Sequence, residues 1–117
     1  MIRWAIAFLA MIGSASAAET QKGDSAVLRG LDKISGDVGD FEIQSGGSGS
    51  YGLMQVKVSE CRYPAANPAG DAYAFLTIQQ KDTNEPVFQG WMIASAPALN
   101  ALDHPRYDIW LLRCNTS

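Results

Sequence analysis

The stretch Tyr51-Gly52-Leu53-Met54-Gln55-Val56-Lys57-Val58-Ser59-Glu60-Cys61-Arg62 decides the fold class. Met54, Val56 and Val58 alternate with Gln55, Lys57 and Ser59. That period of two puts successive side chains on opposite faces of a strand. Strict alternation then places Cys61 on the polar face with Lys57. Either a bulge near Ser59-Glu60 resets the phase, or a bridge from Cys61 lies on the outer face; the pattern admits both.

On both sides of this strand, short apolar runs alternate with turn residues, the pattern of an antiparallel β fold. Towards the N-terminus, Ala26 to Ile34 turns at Ser35-Gly36 into Val38 to Ile43, where Phe41 and Ile43 oppose Glu42 and Gln44. Gly46-Gly47-Ser48-Gly49-Ser50 is a flexible turn. It resembles a phosphate-cradling loop only superficially, because no Lys-Ser/Thr follows and the next segment is a strand. Ala18 to Ser25 is polar and reads as a frayed, flexible N-terminus.

Towards the C-terminus, Tyr63-Pro64 through Gly70 is a loop, and Ala72 to Gln80 is a strand with Ala72, Ala74, Leu76 and Ile78 inward. Val87 to Ala94 is apolar on both faces, as is Tyr107 to Cys114, where Trp110, Leu112 and Cys114 oppose Ile109 and Leu111. Two-sided apolarity predicts central strands covered twice. Between them, Ser95 as N-cap, Pro97 in a first turn, and Leu99 and Leu102 among alanines predict a short helix, which Pro105 ends. The expectation is an all-β fold: a small antiparallel sandwich or partly open barrel of about six strands, with one short helix before the last strand.

The chain is long enough for one domain. Residues 1–17, MIRWAIAFLAMIGSASA, follow the plan of a secretory signal peptide: Arg3, an apolar run from Trp4 to Ile12, a break at Gly13-Ser14, and small residues at Ala15-Ser16-Ala17. The run is about half of the roughly 20 residues needed to span a bilayer, so no stable membrane insertion is expected after cleavage. Removing 1–17 takes away one cation and no acid, moving the net charge from −3 to −4. Without a basic stripe, nucleic acid is not an expected partner.

The chain has two cysteines, Cys61 and Cys114. In the oxidising compartment that export implies, they are expected to form a disulfide. Closing so long a loop contributes about 4 kcal/mol in the chain-entropy model. There is no C-x-x-C redox spacing, and two Cys with one His fall short of a zinc set, so no metal or other cofactor is implied. The domain organisation expected is therefore a signal peptide (1–17), a flexible segment (18–25) and one disulfide-linked β domain (26–117).

The second half carries Phe88-x-Gly90-Trp91-Met92-x-Ala94-Ser95-x-Pro97-Ala98-Leu99-x-Ala101-Leu102-x-His104-Pro105-x-Tyr107-Asp108-x-Trp110-Leu111-x-x-Cys114. Leu31-Asp32-Lys33 with Gly36, then Asp40-Phe41-Glu42 and Cys61, extend the pattern upstream. The chain resembles DUF2155, a family of small exported alphaproteobacterial proteins of unknown function. The resemblance spans essentially the whole mature chain. It implies the periplasm and brings no activity. Asp103 stands where the family usually carries Glu, and Asp37 where a basic residue often follows the glycine.

Ser95, Asp103, His104 and Asp108 bring together the residue types of acyl-transfer chemistry, with Ser95, His104 and Asp108 as weak catalytic candidates. Ser95 lacks the glycine-flanked elbow of a nucleophile, and a role as helix cap already accounts for it. His104 precedes a proline and is expected to cap or pack at the helix end. Asp32 and Asp40 flank a hairpin turn, where paired carboxylates more often cap than catalyse. Among the aromatics Tyr51, Tyr63, Tyr73, Trp91, Tyr107 and Trp110, core packing is expected to take Trp110 and Trp91. The residues proposed for a binding surface are Tyr73, Trp91, His104 and Tyr107. The leading functional expectation is a non-catalytic periplasmic module that binds an envelope protein. The alternatives are a glycan-binding β domain, or a small hydrolase using Ser95 and His104.

Overall fold

The computed structural model describes residues 19–116. The secretory signal read in residues 1–17 lies outside them. Among the described residues every regular element is a strand: β1 (Thr20–Lys22), β2 (Ser25–Asp32), β3 (Val38–Gln44), β4 (Ser48–Tyr51), β5 (Met54–Pro64), β6 (Tyr73–Gln80), β7 (Pro86–Ile93), β8 (Leu102–Asp103) and β9 (Tyr107–Asn115). The six long strands are those expected from the apolar runs. The three additional ones are two to four residues long, too short to show a period. The segment 18–25 differs from the frayed tail expected of it: Thr20–Lys22 pairs with Arg62–Pro64 of β5, and Ser25 is buried.

The strands form two antiparallel sheets that do not close into a barrel. In the first, β5, β6 and β7 make a meander, while β4 and β1 pair with successive halves of the free side of β5. The second has the order β3-β2-β9-β8. The chain crosses between sheets at Gly23-Asp24, whose N–H groups donate to Cys61 O and Asn115 O. One core joins the layers: Met54, Val56, Val58, Leu76, Ile78 and Met92 from the first, with Leu28, Ile43, Ile109 and Leu111 from the second.

The register of β5 on β6 slips between Val58 and Glu60, leaving Ser59 as the extra residue. The bulge turns Cys61 inward, so the disulfide is a core bond between β5 and β9, spanning 53 positions with Cα atoms 5.8 Å apart. A second slip, at Leu112 in β9, puts Cys114 on the inner face with Leu111, Ile109 and Tyr107. Trp110 and Leu112, expected to share a face with Cys114, are instead half-buried on the other side.

Two further expectations are corrected. Residues Ser95 to Leu102 form no helix: Ala96 N–H bonds to Ile93 O and Leu99 N–H to Ala96 O, which closes separate single turns. Leu99 is 78% exposed, and Leu102 enters the core from β8, paired with Ile109, so the segment has no apolar stripe to offset the nucleation of a helix. Strand β7 is not central but the outer edge of its sheet. Its inner face packs Phe88 and Met92. Its outer face leaves Val87 and Trp91 more than 40% exposed.

Candidate functional site

The residues singled out in the sequence separate into three places. Ser95 lies at the disulfide end. Its Oγ donates to Asp71 Oδ2 at 2.7 Å and its N–H to Asp71 Oδ1 at 3.0 Å, so Asp71 closes this turn, and Ser95 caps no helix. Burial works to raise the Asp71 carboxyl, and the hydrogen bonds from Ser95 and Ala72 overcome it, holding it below its ordinary value. The pair lines an open hollow of about 490 Å³ beside Cys114 and Arg113.

His104 lies at the opposite end. Its Nδ1 accepts from the Arg106 N–H at 3.1 Å, and its Nε2 sits 3.3 Å from Gln80 Nε2, at the end of β6. No hydrogen bond joins His104 to Ser95 or to Asp108. Asp108 instead pairs with Lys33 at 3.0 Å, and Lys33 also reaches Asp103 at 3.0 Å. These two carboxylates, Asp108 more than Asp103, raise the Lys33 ammonium above its usual range. Asp40 pairs across the hairpin with Arg29, and Asp32 with Arg106 at 3.0 Å, so Asp32 and Asp40 do not converge. Hydrogen bonds from Arg106 first, then from the N–H groups of Ile34 and Ser35, lower the Asp32 carboxyl to about 2. Each of these candidate acids and bases is engaged with a partner that stabilises its charge or fixes its turn.

The aromatic residues divide as well. Tyr107 is 2% exposed and belongs to the core, which removes it from any binding surface. Its hydroxyl accepts the Leu53 N–H at 3.2 Å. Tyr51 meets it edge-on at 5.9 Å, His104 lies 6.0 Å away, and the Arg106 guanidinium is 5.2 Å over the ring. Two glycines make room. A Cβ at Gly30 would stand 2.5 Å from the Tyr51 ring, and one at Gly52 (φ +58°) 2.5 Å from the Tyr107 hydroxyl. Tyr63 is also buried.

Tyr73 and Trp91 stand elsewhere, on the outer face of the first sheet. Register places Tyr73 beside Ile93 and Phe75 beside Trp91. Phe75 meets Trp91 edge-to-face at 5.5 Å and 77°. Arg62 and Glu60 flank this strip from β5, paired to each other at 2.6 Å. Tyr73 and Phe75 were legible as outer-face residues by alternation. The exposure of Trp91 was hidden by reading β7 as central. The Asp71–Ser95 pair spans 24 positions and leaves no periodic signal.

Two antiparallel sheets, the Cys61–Cys114 bond and the Phe88 to Cys114 motif now stand together. The family model described as an uncharacterized protein conserved in bacteria (DUF2155) matches residues 26–114. The chain belongs to this family. It is similar to an uncharacterized protein of Rickettsia prowazekii (strain Madrid E), RP359, with 28% identity over 87 residues. That match covers 72% of this chain and 56% of the relative, so the chain spans little more than half of the relative's length. No solved structure matches. Among the described residues, no three His, Cys, Asp or Glu side chains converge to hold a metal ion, no helix is long and apolar enough to cross a membrane, and no buried side-chain polar atom lacks a hydrogen-bond partner.

Proposed function

We propose that this protein is a non-catalytic module of the bacterial cell envelope that binds another protein through the outer face of the β5-β6-β7 sheet. The export signal in residues 1–17 supports a periplasmic setting, as does a core disulfide that requires an oxidising compartment. The observation that carries the binding reading is the strip of Tyr73, Phe75, Trp91 and Ile93, with Trp91 42% exposed at its margin. Large aromatic side chains held on a rigid strand bury much area at low entropic cost when a partner docks.

Protein is preferred over glycan because of ring geometry. Sugar stacking favours coplanar exposed rings, and the Phe75–Trp91 planes stand at 77°. The hydrolase alternative lacks its pairing, since Ser95 donates to Asp71 and His104 sits with Gln80 and Arg106.

The test begins with a photo-crosslinking residue at position 87 in the periplasm to identify a partner, followed by titration of the purified partner. Wild type should bind saturably and Trp91→Ala at least about tenfold more weakly, the scale of one interface anchor. Equal affinity of the two proteins would refute the reading. Retention on a glycan array that depends on Trp91 would replace it with the carbohydrate alternative.

A further inference from the structure

An exposed sheet edge is a row of unpaired N–H and C=O groups, and proteins blunt such edges with charge, brevity or cover. Most edges here are blunted. Strand β3 carries Asp40 and Glu42, β8 has two residues, β1 has three including Lys22, and β4 has four. Strand β7 is different: it opens on Pro86 and a bulge at Val87, but beyond these Phe88-Gln89-Gly90-Trp91-Met92-Ile93 runs without a charge. Its partial cover comes from the following loop: Asn100 Nδ2 donates to Trp91 O at 2.6 Å and Ala96 N–H to Ile93 O at 3.1 Å.

The direction of the free groups follows from the ladder. Ala94 N–H donates to Ala72 O, so even-numbered residues near this end turn their backbone groups towards β6. Trp91 O receives Asn100 and Ile93 O receives Ala96 N–H, so the odd-numbered residues turn theirs outward. Gln89 and Trp91 therefore present backbone donors and acceptors along the open edge.

We propose that β7 is a self-association edge, pairing antiparallel with β7 of a second copy about a two-fold axis at Gly90. This does not rest on the aromatic strip binding another protein. In that register Gln89 and Trp91 exchange backbone hydrogen bonds with Trp91 and Gln89 of the other copy. Gly90 faces its own counterpart in the close, non-hydrogen-bonded pair, where Cα atoms approach to about 4.5 Å. Phe88 falls opposite Met92, and the ladder ends there, at the Val87 bulge on one side and at Ile93, whose carbonyl holds Ala96 N–H, on the other. Every cross-strand pair is uncharged, and the pattern is its own complement, as an isologous contact requires. The Asn100 side chain occupies one of the required acceptors, so it competes with dimerisation and is displaced by it.

The test is sedimentation equilibrium of the purified, disulfide-intact protein from about 1 µM to about 1 mM, spanning the range of weak, specific association. The expected result is a monomer–dimer equilibrium. Gln89→Pro, which removes an outward N–H and leaves the bonds to β6, should give monomer throughout. Asn100→Ala should lower the dissociation constant roughly tenfold, since one competing hydrogen bond is lost in each copy. If Gln89→Pro misfolds, Gln89→Glu tests the same edge by placing like charges about the axis, and the dimer should weaken in a salt-dependent way. A protein that stays monomeric to the highest concentration would overturn the proposal. So would a dimer indifferent to position 89.

Discussion

Tyr107 and Trp91 each meet an aromatic residue edge-to-face in nearly the same geometry, Tyr51 at 5.9 Å and Phe75 at 5.5 Å, both at 77°. Their situations are opposite. Tyr107 is 2% exposed and Trp91 42%. Pairwise ring contact therefore does not distinguish an aromatic residue that builds the core from one left at the surface. The rest of the surroundings does. Tyr107 has its hydroxyl on Leu53 N–H, Arg106 over its ring, and Gly52 beneath it. Beyond Phe75, Trp91 has an edge strand and solvent. The first ring is an element of stability, and the second is available for recognition.

Truncation should separate the two rings most. Tyr107→Ala removes a buried aromatic side chain and leaves the Leu53 N–H without its acceptor, and should cost about 3–5 kcal/mol. Urea unfolding monitored by circular dichroism would measure it. A cost near that of a surface substitution would mean that the core does not depend on this ring.

Glycine substitutions probe the same contrast with a smaller effect. Gly30→Ala drives a Cβ into the Tyr51 ring, where the nearest atom is 2.5 Å away, and should cost about 1–3 kcal/mol through overpacking. At Gly90 a Cβ meets Asn100 Nδ2 at 3.4 Å, an ordinary contact, so Gly90→Ala should fall within about 0.5 kcal/mol of wild type. Equal effects at the two positions would contradict the assignment of a full interior and an open edge.

How much of this was legible in the sequence depended on whether a pattern or a distance carried the information. Alternation in β5 and β6 identified their inner faces: Met54, Val56, Val58, Ala74, Leu76 and Ile78 are all fully buried. Alternation also showed that Cys61 was out of phase, but not whether a bulge or an outward bridge resolved it, because either satisfies the local pattern. In β9 the bulge at Leu112 broke the phase unseen, and Trp110 was placed with Cys114 as a result. Strand β7 was misplaced for a physical reason: two apolar faces fit a strand buried twice, and equally an edge strand with one face left for a partner. The helix expected at Ser95–Leu102 rested on local signals, and a single exposed Leu99 cannot hold a helix that short. At the candidate site, the nearness in sequence of Ser95, His104 and Asp108 suggested one cluster. The connection between β7 and β9 carries Ser95 and His104 to opposite ends of the molecule.

Asp32 has its carboxyl lowered to about 2 by Arg106 and the 34–35 backbone, against about 3.9 for an unfolded aspartate. The native state thus binds fewer protons than the unfolded chain in this interval. The contribution is complete above the unfolded value and is lost as pH falls through about 2. Asp32→Asn should therefore make the acid limb of the stability profile shallower between about pH 5 and pH 2. Some slope should remain, since Asp40, Glu42 and Asp71 are lowered as well. An unchanged acid limb would show that this pair contributes nothing to stability.

A small stability effect is expected at Trp91, the residue proposed as the binding anchor. Trp91→Ala removes an edge-to-face contact worth about 0.5–1.5 kcal/mol and takes some apolar area off the surface. The two changes partly offset, because an exposed ring on an edge strand already has much of its face in water. Its unfolding midpoint should lie close to that of wild type, well above that of Tyr107→Ala, while partner affinity falls. That dissociation of stability from binding is what assigns Trp91 to recognition. If Trp91→Ala unfolds as readily as Tyr107→Ala, the outer ring is structural, and the contrast between the two aromatic groups fails.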